Sequence, residues 1–132
     1  GFTLIELLFV LVIVSTISIF VLPSMYETLT KQQRKHFFQM LENDVFLIQN
    51  YSLYSNSNNR ILVNKEDYIV RTDSDYIFRN YPHDFRLINN YNRIRFSVNG
   101  TVYDPTTYIF QDQNGLYKVV FPFGKGRFYI DE

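Results

Sequence analysis

The stretch GFTLIELLFVLVIVSTISIFVLP, Gly1 to Pro23, decides how the rest of the chain is read. From Phe2 to Leu22 every side chain is apolar or a small hydroxyl, with one exception, the carboxylate of Glu6. About twenty residues, rising about 1.5 Å each, match a hydrocarbon core roughly 30 Å thick. An ordinary signal peptide would carry a shorter apolar run, about 7–15 residues, followed by a small-residue cleavage site. Neither feature is present, so the segment is expected to stay attached and to span a membrane. With neither an initiator Met nor a basic leader, a chain beginning at Gly1 is expected to be processed or shortened. A charge in such a helix costs roughly 2.5–3.5 kcal/mol at mid-bilayer, so Glu6 marks a functional position.

Working outward, Pro23 stands where the apolar run ends and is expected to kink or break the helix locally. A helical pattern then resumes. Tyr26, Leu29, Gln33, Phe37, Met40, Leu41, Asp44, Val45 and Ile48 recur at three- and four-residue steps, with Glu27, Lys31, Arg34, Lys35, Glu42 and Gln49 between them. The spacing predicts one helix to about residue 54, all-apolar in its first half and amphipathic in its second. It ends at SNSNN, Ser55 to Asn59, whose side chains compete for backbone hydrogen bonds.

Beyond lie short β-type runs: Arg60–Val63, Asp67–Arg71, Tyr76–Arg79, Phe85–Ile88, Arg93–Val98, Thr107–Phe110, Leu116–Phe121 and Arg127–Ile130. In RIRFSV, Ile94, Phe96 and Val98 would face one way and Arg93, Arg95 and Ser97 the other. Asn99-Gly100 and Asn114-Gly115 carry hairpin-turn chemistry. The expected fold class is α+β, a long N-terminal helix packed on antiparallel sheet. Residues 2–23 would form the transmembrane or filament-core half, and residues 24–132 a head with strands over 60–130.

The 132 residues include 13 basic and 13 acidic side chains, so no overall charge draws the chain to nucleic acid. Cys is absent, which excludes disulfide staples and thiol chemistry. The 11 Tyr and 13 Phe must then supply the core.

GFTLIE resembles the class III signal of type IV pilins and pseudopilins. The resemblance implies that a prepilin peptidase cuts after Gly1 and methylates the new N-terminal Phe2. It also implies a filament-assembly role for Glu6, and it places Pro23 where the family has a proline. In a dry bundle of helices a carboxylate needs a cationic partner or must be neutral. The family assigns the Phe2 amine of a neighbouring subunit to Glu6. Further along, FSVNGTVYDPTTYIF and GLYKVVFPFGKGRFYID are similar to the last strands of H-type minor pseudopilins, most closely the ComGD-type competence pseudopilins of Gram-positive bacteria. FSxxGT (Phe96 to Thr101) and GKGR (Gly124 to Arg127) carry that likeness.

Little points to catalysis or to a cofactor. His36 and His83 are far apart and have no metal-ligand spacing, and Asp73-x-Asp75 lacks the other ligands of a calcium loop. Glu66-Asp67 and the Asp73/Asp75 pair read as solvated turns. Nucleophile elbows and phosphate-cradling loops are missing too, so no enzyme is expected. GKGRFY does place Lys125 and Arg127 beside glycines and aromatics, and in the related FimT-type minor pilins a basic C-terminal motif is implicated in DNA binding. Arg93 and Arg95 would join that patch if their strand neighbours Arg127. Neutral net charge limits such contact to a few phosphates of double-stranded DNA, weakly held. The alternative is that Gly124 and Gly126 only shape a turn.

The resemblance thus implies a minor subunit of a competence filament for DNA uptake in natural transformation. Its partners would be major and minor pilins, the prepilin peptidase and the membrane before assembly. It would be found at the cell membrane, head outside, and in a surface filament. A minor pseudopilin of a type II-like secretion system is the alternative.

Overall fold

The computed structural model describes residues 1–55, 58–89 and 92–131. The chain is an α+β protein with a pilin-like layout, one long N-terminal helix followed by two antiparallel sheets. Helix α1 is Leu4–Tyr54. The strands are β1 (Arg60–Val63), β2 (Asp67–Arg71), β3 (Tyr76–Asn80), β4 (Arg86–Leu87), β5 (Arg93–Ile94), β6 (Thr106–Gln111), β7 (Leu116–Phe121) and β8 (Tyr129–Asp131). The first sheet has the order β3-β2-β1-β5 and the second β4-β6-β7-β8. Two compact units divide the chain, Gly1–His36 and Phe37–Glu132.

The first unit is helical from Leu4 and exposes its apolar side chains, from Phe2 at 87% to Val21 at 45%. It is long and apolar enough to cross a membrane, which is the physical circumstance that would cover those side chains. Two hydroxyls inside the run pair with their own helix: Thr16 Oγ1 and Ser18 Oγ donate to the carbonyls of Val12 and Val14, each at 2.8 Å. As the spacing predicts, α1 is one helix to Tyr54, and it runs on through Pro23. The ring costs Ile19 a helical donor, a loss that an otherwise continuous helix tolerates. Tyr26 and Leu29 depart from the predicted buried stripe, being 55% and 51% exposed. They stand in the first unit, which has no sheet to cover them.

In the second unit burial along α1 runs Phe37, Phe38, Leu41, Asp44, Val45, Ile48 and Ser52. That is the stripe that the three- and four-residue spacing gives, widened by Phe38. It meets the inner faces of both sheets, where Ile61, Val70 and Val119 are fully buried beside Tyr68 and Tyr108. Phe37 is the hub, with ring centroids of Phe38, Tyr68, Tyr81, Phe85 and Phe110 between 5.1 and 6.1 Å away, all edge-on. Burial of aromatic rings in such numbers is what holds a domain without disulfides.

Asp44, the polar break in the stripe, has a structural reason. It is 4% exposed and accepts from Tyr68 Oη at 2.7 Å, from Arg79 Nε at 3.0 Å and from an Arg79 terminal nitrogen at 3.3 Å. One carboxylate therefore ties α1 to β2 and β3. Asp44 holds the Arg79 guanidinium above its ordinary value, while burial, reinforced by Asp44, pushes the Tyr68 hydroxyl well up. Burial does the same to Tyr81 and Tyr108.

Several predicted strands come out shorter or shifted. Phe85 and Ile88 flank β4 without belonging to it, and β5 stops at Ile94. Phe96 then makes an isolated bridge to Val102, and Val98 is exposed, because the chain has already entered the Ser97–Thr101 turn. Gly100 there has a φ of 73°, but Gly115 does not take a positive value. The Asp112–Gly115 turn is instead held by Asp112 Oδ1, which accepts from the amides of Asn114 and Gly115. In the predicted SNSNN boundary, residues 56 and 57 lie outside the described residues.

Candidate functional site

Two stretches bear on function, and each is built by its local backbone. The first is the start of α1. Thr3 precedes the helix and Glu6 is in its first turn. The Glu6 amide donates to Thr3 Oγ1 at 3.3 Å, and the Thr3 amide donates to Glu6 Oε2 at 3.4 Å. This reciprocal pair is a capping box, and the T-x-x-E pattern in Thr3-Leu4-Ile5-Glu6 is its signature. Reading Glu6 only as a misplaced charge missed it. The carboxylate stands at the positive end of the helix dipole, satisfies an otherwise orphaned amide, and is exposed. Gly1 and Phe2 precede the helix and are exposed, and nothing lies within 4 Å of a side chain built at Gly1.

The second stretch is the loop from Gly124 to Phe128. Gly124 has a φ of 68° with open space around it, so it is a glycine for conformation. Gly126 is a glycine for close approach. A Cβ there would collide with the Gln49 amide and would lie 2.6 Å from the Gly100 carbonyl oxygen. The Gln49 Nε2 of α1 donates to that same carbonyl, and the Val102 amide donates to the Lys125 carbonyl at 3.3 Å. The loop is thereby clamped between α1 and the Ser97–Val102 segment. This explains why β8 begins at Tyr129 and not at Arg127 as predicted. Packing against Phe121, with centroids 5.2 Å apart, takes Phe128 inward, while Phe123 and Tyr129 stay exposed.

Lys125 and Arg127 are exposed on this loop, beside a cleft of about 860 Å³ lined by Phe46, Gln49 and Leu53 of α1 and by the Asn99-Gly100 turn. Arg93 and Arg95 are not brought to them. β5 pairs with β1, and the neighbour of Arg95 on its other side is Tyr103, whose amide donates to the Arg95 carbonyl. The Arg95 guanidinium is engaged with Asp104 at 2.7 Å and lies over the Tyr103 ring. It is the backbone of Val102 that meets Lys125, so the 101–103 segment stands between Arg95 and the Lys125 backbone.

His36 is exposed, and His83 is an exposed partner of Asp84 at 3.0 Å. Among the described residues no group of three or more His, Asp or Glu side chains is placed to hold a metal ion. Comparison with models of protein families, with curated proteins and with solved structures finds no match.

Proposed function

We propose that this chain is a minor pilin-like subunit of a type IV competence filament, held in the membrane by residues 2–23 until it is assembled. The observation that carries the reading is the start of α1. A single carboxylate, Glu6, stands in a run of apolar side chains that the rest of the chain leaves uncovered. A bilayer can cover the apolar surface, but it offers the carboxylate nothing. A bundle of like helices can do both, because the Phe2 amine of a neighbour, freed by cleavage after Gly1, supplies the opposite charge. A subunit out of register would leave the charge unpaired in an apolar place.

The competence branch is favoured by how the two C-terminal motifs relate. FSxxGT and GKGR, separate in sequence, meet through Gly100 and Gly126, and Val102, the residue after the first motif, donates to the Lys125 carbonyl of the second. A shared structural lock of this kind supports treating them as one signature. Lys125 and Arg127, displayed on the locked loop, are the candidates for weak contact with double-stranded DNA.

The experiment is co-expression of a precursor carrying a leader with an active or an inactive prepilin peptidase, read by intact mass. The expected product is a chain beginning at methylated Phe2, formed only with the active enzyme and blocked by Gly1→Val. Cleavage that persists in Gly1→Val, or that needs no peptidase, contradicts the proposal.

A further inference from the structure

The solvent-facing side of the first sheet carries a different surface. Cross-strand partners share a face, so the register gives its rows directly. Arg60, Arg71 and Tyr76 make one row. Arg93, Leu62, Ile69 and Phe78 make the next. The opposite face is core, with Ile61 and Val70 fully buried.

Arg60 and Arg71 are direct cross-strand neighbours, and like charges so placed destabilise a sheet. Among the described residues Arg60, Arg71 and Arg93 take part in no ion pair. Arg60 Nε is shielded from solvent and has no hydrogen-bond partner there. Arg71 lies over the Tyr76 ring, 5.2 Å from its centroid. β3 is an edge strand, and its outward rings, Tyr76 and Phe78, are 51% and 67% exposed. Two residues apart on one strand, they are separated by about 6.6 Å along it. Asp67 lies beyond the second row, accepting from Asn64, and Asp73 and Asp75 lie in the turn before Tyr76, so acids bound the basic track at both ends.

We propose that this face binds single-stranded nucleic acid without sequence preference. Arginines set among exposed rings on a four-stranded antiparallel sheet supply both things that an unpaired strand offers to be held by, phosphate charge and base π-faces. A duplex presents the phosphates but keeps its bases stacked on one another, so it cannot use Tyr76 and Phe78. The inference does not rest on the filament reading, because its readout is the purified chain.

The test is fluorescence anisotropy of a labelled short oligothymidylate with the full chain in non-ionic detergent, across a salt series. Three phosphate contacts predict a salt slope of about 2 in log units, from about 0.7 per contact for single strands. Arg60→Gln with Arg71→Gln should lower that slope by about 1.4. Tyr76→Ala with Phe78→Ala should weaken binding roughly tenfold or more at unchanged slope, and Tyr76→Phe with Phe78→Trp should restore it. Asp73→Asn with Asp75→Asn should tighten it, and the loss caused by the aromatic pair should be the same whether or not Lys125 and Arg127 are replaced by Ala. Circular dichroism of each variant must match the parent. The proposal is overturned if, with Lys125 and Arg127 both replaced by Ala, a duplex of equal length binds as tightly as the single strand. It is equally overturned if the aromatic pair changes nothing while the arginines matter, which is generic polyanion attraction, or if Lys125 and Arg127 carry the binding.

Discussion

Glu6 has two roles that a single substitution can confuse. Its capping box with Thr3 stabilises the first turn of α1 within one chain, and its charge is what a neighbouring subunit would recognise. Gln at this position keeps the reciprocal hydrogen bonds and removes only the charge, whereas Ala removes both, so Glu6→Gln isolates assembly from helix capping. Gly126 and Lys125 separate in the same way. Gly126→Ala forces a Cβ against the Gln49 amide and the Gly100 carbonyl and should cost about 1–3 kcal/mol in thermal or urea melts. Gly124→Ala meets open space and pays only for its left-handed backbone, about 1–2 kcal/mol. Lys125→Ala with Arg127→Ala touches neither constraint and should leave the melting temperature unchanged. If that double variant unfolds as easily as Gly126→Ala, the loop is held by its cations and the clamp described here is wrong.

The second half of α1 is the element on which the sheets depend. Phe37→Ala removes a ring in contact with five others and should cost about 3–5 kcal/mol. Asp44→Ala should cost on the order of 2–4 kcal/mol by stranding the buried Tyr68 hydroxyl and Arg79, the lower end applying if Arg79 turns to water. Equilibrium urea unfolding measures both, and a parent-like midpoint for either would show that α1 does not pack as described. The spacing of Phe37, Leu41, Val45 and Ile48 made this face legible in the sequence, and the short apolar, β-branched runs did the same for β1 and β2, though not which of their side chains face inward. The division into two sheets was not legible, since pairing order depends on contacts distant along the chain. Nor was the short β5, because Val98 continues a period that the Ser97–Thr101 turn interrupts. Periodicity cannot show where covering ends either, which is why Leu29 continues the stripe and yet is exposed. The capping box was legible and overlooked, and the Arg60–Arg71 neighbourhood needed the register.

At the scale of the whole molecule, the core lies within the second unit, so residues 24–132 should fold in water without detergent. Their stability should fall at high pH. Tyr68 and Tyr108 are buried with their hydroxyls pushed above the ordinary value of 10.0, so the folded chain holds protons that the unfolded chain gives up. Stability is therefore complete below about pH 10 and declines as pH rises beyond it. Tyr68→Phe, though weaker at neutral pH for loss of the Asp44 hydrogen bond, should show a shallower decline in urea midpoint; an equal slope would mean that Tyr68 is not buried as a neutral phenol. None of these measurements bears on assembly, which is the central claim. The direct test is the amount of this chain in sheared surface filaments, against the amount in membranes, for the parent and for Glu6→Gln in a competent host. The account predicts Glu6→Gln at parental level in the membrane and strongly depleted from filaments. Parental levels in both fractions would contradict it, leaving Glu6 a helix cap and nothing more.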